Sequence, residues 1–418
     1  MRGTPRSNRL RIALAGRRNT GKSSLVNALT GQRAAIVSAV PGTTTDPVYR
    51  AMELQPLGPV VFVDTAGVDD DGVLGKLRTA RTQASLAGAD VVVLVVDGSV
   101  GWGPWEDEIC RQAAARSLAL VVAWNKADLL PHESRLPPVL PGDPPIVPVS
   151  AMTGQGVEEL RRVLIQTAPE DWAGPPILAD LLVPGDTVVL VTPQDSEAPR
   201  GRLILPQVQT LREILDAGAM ACLVKEDSLE TALGQLCRQP RLVVTDSQAF
   251  RETDRITPKG IPLTSFSVLF ARHRGNIAQL VEGAARVDHL RPGDEILVAE
   301  ACTHHPIGDD IGRVKIPRLL QERVGGDLSF TWQVGTDLPE DLAGFRLVVH
   351  CGGCMLGRRE MLARLERLRA AGVPVVNYGV LIASLLGILD RALGPIPGAA
   401  EAWERVKAGG RPCRTPPA

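Results

Sequence analysis

One stretch decides the fold of the first part of the chain: Gly16-Arg17-Arg18-Asn19-Thr20-Gly21-Lys22-Ser23. It follows an apolar run at residues 11–15 and precedes a predicted helix over residues 22–29, so it joins a strand to a helix. Its glycines let backbone N–H groups curl around phosphate oxygens at the helix N-terminus. A lysine at this position reaches the β and γ phosphates, and the serine hydroxyl after it binds Mg²⁺. The predicted nucleotide-binding residues of this P-loop are Gly16, Asn19, Thr20, Gly21, Lys22, Ser23 and Ser24.

Three further motifs follow, each at the C-terminal end of an apolar run that predicts a buried parallel strand. They are Asp64-Thr65-Ala66-Gly67, Asn125-Lys126-Ala127-Asp128 and Ser150-Ala151. The first supplies a carboxylate on the Mg²⁺ side and a sensor of the γ-phosphate. In the second, the Asp128 carboxylate pairs with the N1–H and 2-amino groups of guanine, a donor pair that adenine lacks. The third resembles the backbone contact to guanine O6. This order of motifs predicts a GTP-binding domain.

Residues 10–168 resemble the TrmE/Era-like GTPases of the translation-factor class. The stretch Pro41-Gly42-Thr43-Thr44-Thr45-Asp46 is similar to their switch I. The resemblance implies that Thr44 binds Mg²⁺ together with Ser23, although the hydroxyls of the two neighbouring threonines are alternatives. It also implies a catalytic set, namely Lys22, Thr44, Asp64 and Gly67.

Two positions refine the expected mechanism. Val68 stands where Ras-type enzymes have a water-orienting glutamine, so hydrolysis should be slow. Asn19 is similar to the asparagine with which K⁺-stimulated GTPases hold a cation near the phosphates, in place of an arginine finger. A polar loop residue without a ligand is the alternative for Asn19. Arg17 and Arg18 are expected to be solvated or to contact phosphates weakly.

Cysteine and histidine residues form two groups in the last third of the chain. The groups are Cys302-Thr303-His304-His305 and His350-Cys351-Gly352-Gly353-Cys354, and each follows a predicted strand. The C-terminal edge of an open α/β sheet is where ligand sites form. Three interpretations remain open on spacing alone. They are unused buried thiols, a tetrahedral zinc site from Cys302, His304, Cys351 and Cys354, and a 4Fe–4S cluster on three cysteines.

A TrmE/Era-like GTPase joined to this cysteine–histidine pattern resembles the HydF family of FeFe-hydrogenase maturation GTPases. The resemblance covers nearly the whole chain and implies that Cys302, Cys351 and Cys354 bind a 4Fe–4S cluster. His304 is the expected fourth ligand, with Glu300 or an exchangeable water as alternatives, and His305 and His350 would lie around the ligands. The family scaffolds a diiron precursor for apo-FeFe-hydrogenase, alongside radical-SAM hydrogenase maturases.

The alternation of strand and helix signals predicts an α/β fold: a P-loop GTPase domain with a mostly parallel sheet, followed by two smaller α/β domains. The predicted boundaries are residues 1–170 for the GTP-binding domain, 177–261 for an α/β dimerisation domain, 262–394 for the cluster-binding domain and 395–418 for a loose tail. The second domain lacks a recognisable catalytic constellation. An exposed sheet edge there would let two copies pair, so we expect a homodimer.

Composition excludes several other classes of protein. The 418 residues carry 46 basic and 47 acidic side chains, a net charge of −1, so no general field draws the chain to nucleic acid or to a membrane. Neither an apolar run of spanning length nor a signal region is present, and we expect a cytoplasmic protein. An alternative function is a TrmE/Era-like GTPase of RNA modification or ribosome assembly with a structural zinc. That role would require a basic RNA-binding unit. The net charge of −1 and the 3% aromatic content do not indicate one.

Overall fold

The computed structural model describes residues 6–31, 48–64, 86, 88–129, 140, 142–193, 203–301, 310–335, 337–354 and 356–409. These residues divide into two compact units, the first extending to Ala173 and the second beginning at Gly174. None of the helices within these ranges is long and apolar enough to cross a bilayer.

The first unit is built on a six-stranded sheet with the order β2-β3-β1-β4-β5-β6. Its strands are β1 (Leu10–Ala15), β2 (Val48–Leu54), β3 (Gly58–Asp64), β4 (Val91–Asp97), β5 (Ala119–Asn125) and β6 (Ile146–Pro148). Only β2 runs antiparallel to its neighbour, and it lies at the edge. The central strand β4 is buried along its whole length, as expected for a parallel strand covered on both faces.

Three helices of this unit lie within the described ranges: α1 (Lys22–Thr30), α2 (Pro104–Ala115) and α3 (Val157–Thr167). Helix α2 begins with Pro104, whose missing N–H is not needed in a first turn, and the Glu106 side chain accepts a hydrogen bond from the Gly103 N–H. In α3 the apolar residues Val157, Leu160 and Leu164 recur at helical spacing and are buried. Separate apolar clusters cover the two faces of the sheet.

The second unit contains two four-stranded parallel sheets, with the orders β10-β9-β7-β8 and β12-β11-β13-β14. The first has β7 (Thr187–Val191), β8 (Met220–Val224), β9 (Leu242–Thr245) and β10 (Leu263–Ser265). The second has β11 (Glu295–Glu300), β12 (Ser329–Val334), β13 (Leu347–His350) and β14 (Val375–Asn377). The predicted fold class, a mostly parallel GTPase sheet followed by two smaller α/β sheets, is confirmed.

Ten helices are described in this unit. They are α4 (Leu205–Asp216), α5 (Leu229–Gln235), α6 (Phe250–Ile256), α7 (Phe266–Arg274), α8 (Ile277–Ala285), α9 (Ile316–Val324), α10 (Arg358–Ala370), α11 (Tyr378–Leu385), α12 (Leu389–Leu393) and α13 (Ala399–Lys407). One apolar core runs through both sheets. Close helix contact joins them, because a Cβ on Gly379 of α11 would lie 2.1 Å from the Ser267 Cβ of α7. The two sheets therefore share a core.

The structure differs from the sequence prediction at two positions in this unit. Strand β10 lies beyond the expected boundary after residue 261, yet it pairs with β9 of the preceding sheet through residues 263–265. Within the predicted tail, residues 399–407 form α13, whose Ala399 and Ala402 are buried. Small alanines allow this close packing, and a segment rich in alanine, glycine and proline gave no apolar period from which to foresee it.

Candidate functional sites

The P-loop connects β1 to α1 and closes around the Lys22 ammonium. Its Nζ donates hydrogen bonds of 2.8 Å to the carbonyl oxygens of both Gly16 and Arg17. Asn19 and Gly21 have left-handed backbones, with φ of 62° and 91°. A Cβ on Gly21 would lie 2.3 Å from the Asn125 Nδ2, so glycine is required there. Compact loops of this kind at a helix N-terminus are where backbone N–H groups bind phosphate in other proteins.

Ser23 and Asp64 meet at the end of β3. The Ser23 hydroxyl of the P-loop donates a hydrogen bond to Oδ2 of Asp64, the first residue of the second motif. Burial raises the pKa of the Asp64 carboxyl, while the Ser23 hydrogen bond and the Lys22 charge act in the opposite direction. A hydroxyl and a carboxylate brought together in this way are hard oxygen ligands suited to Mg²⁺.

The Asn125 side chain links the guanine motif to two other loops. Its Nδ2 donates to the Thr20 carbonyl at 2.7 Å, and its Oδ1 accepts from the Ala151 N–H at 3.0 Å. Asp128 lies in a short 3-10 turn and is exposed, as a carboxylate that reads a base requires. Ser150 is buried and its hydroxyl accepts from the Thr153 N–H. Three motifs separated by up to 131 positions in the sequence are thereby held together.

Two supporting residues of this site, Asp97 and Glu106, were missed in the sequence. Asp97 ends β4 and forms an ion pair with Lys126 of the guanine motif. Burial alone would raise the pKa of Asp97, but hydrogen bonds from Lys126 and Ser99 lower it overall. The available signal was a single aspartate at the end of a fully apolar run.

Arg17 is not simply solvated. Its guanidinium forms an ion pair with Glu106 of α2, whose side chain is 1% exposed. The same carboxylate oxygen caps the Gly103 N–H at 3.0 Å. The sequence signal was a glutamate three residues after Gly103 at a predicted helix start, which indicates a cap and not a partner for the P-loop.

The cysteine loop begins where β13 ends. The Cys351 N–H donates to the Ala299 carbonyl at 2.9 Å, and the Cys351 Sγ accepts from the Ala301 N–H at 3.1 Å. Both contacts come from β11 and the residue after it, because β11 and β13 are parallel neighbours with Ala299 opposite His350. Burial raises the pKa of the Cys351 thiol, whereas backbone N–H groups and the nearby Arg364 charge lower it.

His350 is enclosed beside this cysteine. It is 1% exposed, its Nε2 accepts from the Arg364 Nε at 3.0 Å, and its Nδ1 lies 2.6 Å from the Cys351 carbonyl oxygen. Burial, together with the Arg364 charge, lowers the pKa of His350 to about 4. Both ring nitrogens are therefore engaged with protein groups.

A second buried arginine contacts the chain just after the loop. Arg274, at the end of α7, donates to the Leu356 carbonyl just past Cys354. Burial lowers its pKa to about 10, and the Cys354 thiol is the nearby group that opposes this shift. Arg274 also lines a small cavity beside Cys351, together with the apolar Phe270 and Met361. Each cysteine of the loop thus has a buried arginine near it, Arg364 for Cys351 and Arg274 for Cys354.

Glu300, one of the expected alternatives for the fourth ligand, is buried at the end of β11. Its carboxylate contacts the Arg313 Nη2 and the Tyr378 hydroxyl, each at 3.4 Å. Burial, together with the charges of Cys351 and Glu300, raises the pKa of the Tyr378 hydroxyl, so Tyr378 is a neutral donor.

Several predicted site residues lie outside the described residues: Thr44, Gly67, Cys302, His304 and His305. Among the residues that are described, no group of three or more His, Cys, Asp or Glu side chains is arranged to hold a metal ion. In the first unit the structure brings together the P-loop, Asp64, the guanine motif and residues 150–151. In the second unit it describes half of the cysteine–histidine pattern.

Three family models match successive parts of the chain. Residues 11–126 match the model of a 50S ribosome-binding GTPase. Residues 177–275 match the hydrogen maturase F dimerization domain, and residues 278–395 match the hydrogen maturase F tetramerization domain. The last two together cover more than half of the chain.

The curated relatives match only the GTPase part. The tRNA modification GTPase MnmE of Prochlorococcus marinus (strain NATL1A) is 37% identical over 160 residues, 38% of this chain and 34% of that protein. MnmE of Synechococcus sp. (strain JA-3-3Ab) is 41% identical over 159 residues, 38% and 33% of the two chains. The match thus spans about a third of these relatives' own length.

Two solved structures illustrate what part of this chain is similar to. Era of Aquifex aeolicus bound to GDP and aluminium fluoride is 23% identical, with a TM-score of 0.35 over 59% of this chain and 97% of that one. The G domain of the T. maritima FeoB iron transporter is 27% identical, with a TM-score of 0.29 over 38% and 98% of the two chains.

The sheet order, the P-loop and the guanine motif define a P-loop GTPase that binds GTP, fused to a second α/β unit. The second unit matches dimerization and tetramerization domains, which indicates a homo-oligomer. The chain belongs to the hydrogen maturase F family, HydF.

Proposed function

We propose that this chain is a GTP-hydrolysing scaffold that binds a 4Fe–4S cluster and delivers a diiron precursor to apo-FeFe-hydrogenase. It would receive that cargo from radical-SAM hydrogenase maturases. The observation that carries the proposal is the cysteine loop, where the Ala301 N–H already donates to the Cys351 sulfur inside a HydF-family domain.

The surroundings of the loop fit an anionic metal cluster. Thiolates are the ligands of iron–sulfur clusters, and hydrogen bonds to sulfur tune the reduction potential of the cluster. Arg364 interacts electrostatically with Cys351 and Arg274 with Cys354, and both interactions would favour negative charge on the sulfurs. Cys302, Cys351 and Cys354 would hold the cluster, which would supply an iron with a labile fourth position at which the cargo can bind.

The fourth ligand is proposed to be His304. The contacts of Glu300 with Arg313 and Tyr378 would have to be given up if that carboxylate bound iron. An exchangeable water is the other candidate, and replacing His304 by Ala should alter the electron paramagnetic signal without removing the cluster.

The GTPase half would work with Mg²⁺ and K⁺. Ser23 and Thr44 would bind Mg²⁺, Lys22 would stabilise the β and γ phosphates, and Gly67 would sense the γ-phosphate. Asn19 would hold K⁺ beside the phosphates. Because Val68 cannot orient water, we propose slow hydrolysis that K⁺ accelerates.

The decisive experiment compares cysteine variants purified without oxygen. Cys351→Ser and Cys354→Ser should each lose iron, sulfide and hydrogenase activation together, because serine is a poor ligand for iron–sulfur clusters. GTP hydrolysis should persist, since the GTPase sheet has its own core. Cys237→Ser is the matched control, because Cys237 is exposed and lies outside the loop.

Two results would contradict the proposal. Stoichiometric zinc without iron in the wild-type protein would favour the alternative, a GTPase of RNA modification or ribosome assembly with a structural zinc. Full activation of apo-hydrogenase by Cys351→Ser would show that the loop does not carry the cluster.

A further inference from the structure

We propose that Arg364 is a positioning residue for the cluster ligands: it holds His350 as a neutral hydrogen-bond donor that fixes the Cys351 backbone, so His350 does not bind metal. This inference rests on the proposed cluster site. It concerns two residues of the cysteine half that touch neither the nucleotide nor an exposed surface.

The direction of each hydrogen bond follows from the chemistry of the guanidinium. Arginine nitrogens only donate, so the Arg364 Nε at 3.0 Å makes His350 Nε2 an acceptor without a proton. The single ring proton of the neutral imidazole is then on Nδ1, which donates to the Cys351 carbonyl 2.6 Å away. The tautomer of His350 is thereby set by Arg364.

The position of Arg364 in α10 is unusual for a charged side chain. The buried face of this helix consists of Met361, Arg364, Leu365 and Leu368, at the spacing of an apolar stripe. Arg364 is only 6% exposed there. A buried guanidinium loses several kcal/mol of hydration, and the hydrogen bond from its Nε to His350 offsets part of that cost.

The consequence for Cys351 is restraint on several sides. Its N–H is bound to Ala299, its carbonyl to His350 and its sulfur to Ala301. Metal-site ligands whose supporting hydrogen bonds are removed commonly lose about 10- to 100-fold in metal affinity.

The first measurement needs no cluster. Long-range ¹H–¹⁵N correlation of ¹⁵N-histidine-labelled apoprotein distinguishes the two neutral tautomers, and a His350 variant assigns the resonance. We expect the Nδ1–H form in the wild type. In Arg364→Met, which keeps the apolar stem and removes the donor, we expect a mixture of tautomers.

The second measurement is made on the reconstituted protein. Arg364→Met should bind iron roughly 10- to 100-fold more weakly. It should also shift the electron paramagnetic signal and lower the reduction potential, because a cation beside the thiolates has been removed. Arg364→Lys keeps the charge, so its reduction potential should return toward the wild-type value. Its His350 tautomer ratio should recover less. Arg369→Met is the matched control, since Arg369 is on the same helix, half exposed and paired with Glu366.

The possible outcomes separate this inference from the function on which it rests. A wild-type protein that binds no iron would refute the cluster site, whereas the apoprotein spectrum would still test the tautomer. An Nε2–H tautomer in the wild type overturns the inference even if Arg364→Met does not fold. An unchanged potential and spectrum in both Arg364 variants would also overturn it.

Discussion

The nucleotide site and the cysteine loop are supported in different ways. In the nucleotide site several hydrogen bonds join residues of recognised motifs to one another, such as Asn125 to Thr20 and Ser23 to Asp64. Asp97 and Glu106 add support from outside the motifs. The cysteine loop is instead held by residues that belong to no motif, namely Ala301 and Arg364. A site that binds through backbone N–H groups must encode their geometry in a contiguous segment, but side-chain ligands can be supported from anywhere in the fold.

Each site nevertheless contains a buried arginine contact that shapes its loop. Arg17 of the P-loop pairs with an anion, the Glu106 carboxylate, whereas Arg364 pairs with a neutral imidazole. The first arrangement cancels a charge and stabilises one loop conformation. The second places a guanidinium near a thiol, which suits a site that would hold anionic ligands.

The prediction with the largest expected effect tests whether the nucleotide site and the cysteine loop bind their ligands independently. Asp128→Asn should reverse the donor and acceptor pattern facing the base, weakening GTP and improving xanthosine triphosphate. Two charge-assisted hydrogen bonds of about 1.5–3 kcal/mol each would be lost, so GTP affinity should fall at least about a hundredfold. Titration calorimetry with both nucleotides measures this.

The cluster spectrum of Asp128→Asn is the internal control and should be unchanged. Equal affinity of the wild-type protein for ATP and GTP would show that the guanine motif has been misassigned.

Sequence alone predicts the fold well where buried parallel strands read as apolar runs, as in Val91–Asp97. It is weaker at sheet edges. The edge strand Ser329–Val334 has mostly exposed or half-exposed side chains, so it carries no apolar run that would predict it. Strand β10 contains only three residues, too few for a period, and its place in the sheet depends on pairing with β9.

The proposed ligand-binding residues lie in recognisable motifs, whereas their supports do not. Lys22 and Cys351 lie in motifs whose spacing reflects the ligand. Arg364 lies at a position of α10 where the helical period indicates a core residue, and its partner His350 is 14 residues away in the chain. Nothing local marks such a pair, because it forms only once β13 and α10 are packed together.

The next effect concerns the arginine of the nucleotide site. Arg17→Ala would leave the Glu106 carboxylate buried with the Gly103 N–H as a remaining donor. Breaking a buried pair costs about 3–5 kcal/mol, and the partial exposure of Arg17 reduces this to about 2 kcal/mol. Hydrogen exchange of α2 should report the loss in the first unit only.

Two variants make this prediction specific. The double variant Arg17→Met with Glu106→Leu should recover part of the loss, because no unpaired charge remains. Arg111→Ala removes an exposed pair with Glu108 on the same helix and should change stability by less than about 0.5 kcal/mol. Equal destabilisation by Arg17→Ala and Arg111→Ala would show that the Arg17–Glu106 pair contributes no more to stability than an exposed pair.

The smallest effect concerns the cation proposed beside the P-loop, where Asn19 is exposed and left-handed with φ of 62°. Replacing Na⁺ by K⁺ should raise GTP hydrolysis roughly tenfold, which corresponds to about 1.4 kcal/mol of transition-state stabilisation. Asn19→Gly is the sharpest variant, because glycine adopts this backbone without strain and removes the side-chain amide with its oxygen. It should hydrolyse GTP at the Na⁺ rate in both salts, whereas Asn19→Asp retains an oxygen and should keep part of the K⁺ response. Wild-type rates that are equal in the two salts would remove the cation from the nucleotide site, leaving the cluster as the only metal-dependent part of the proposed mechanism besides Mg²⁺.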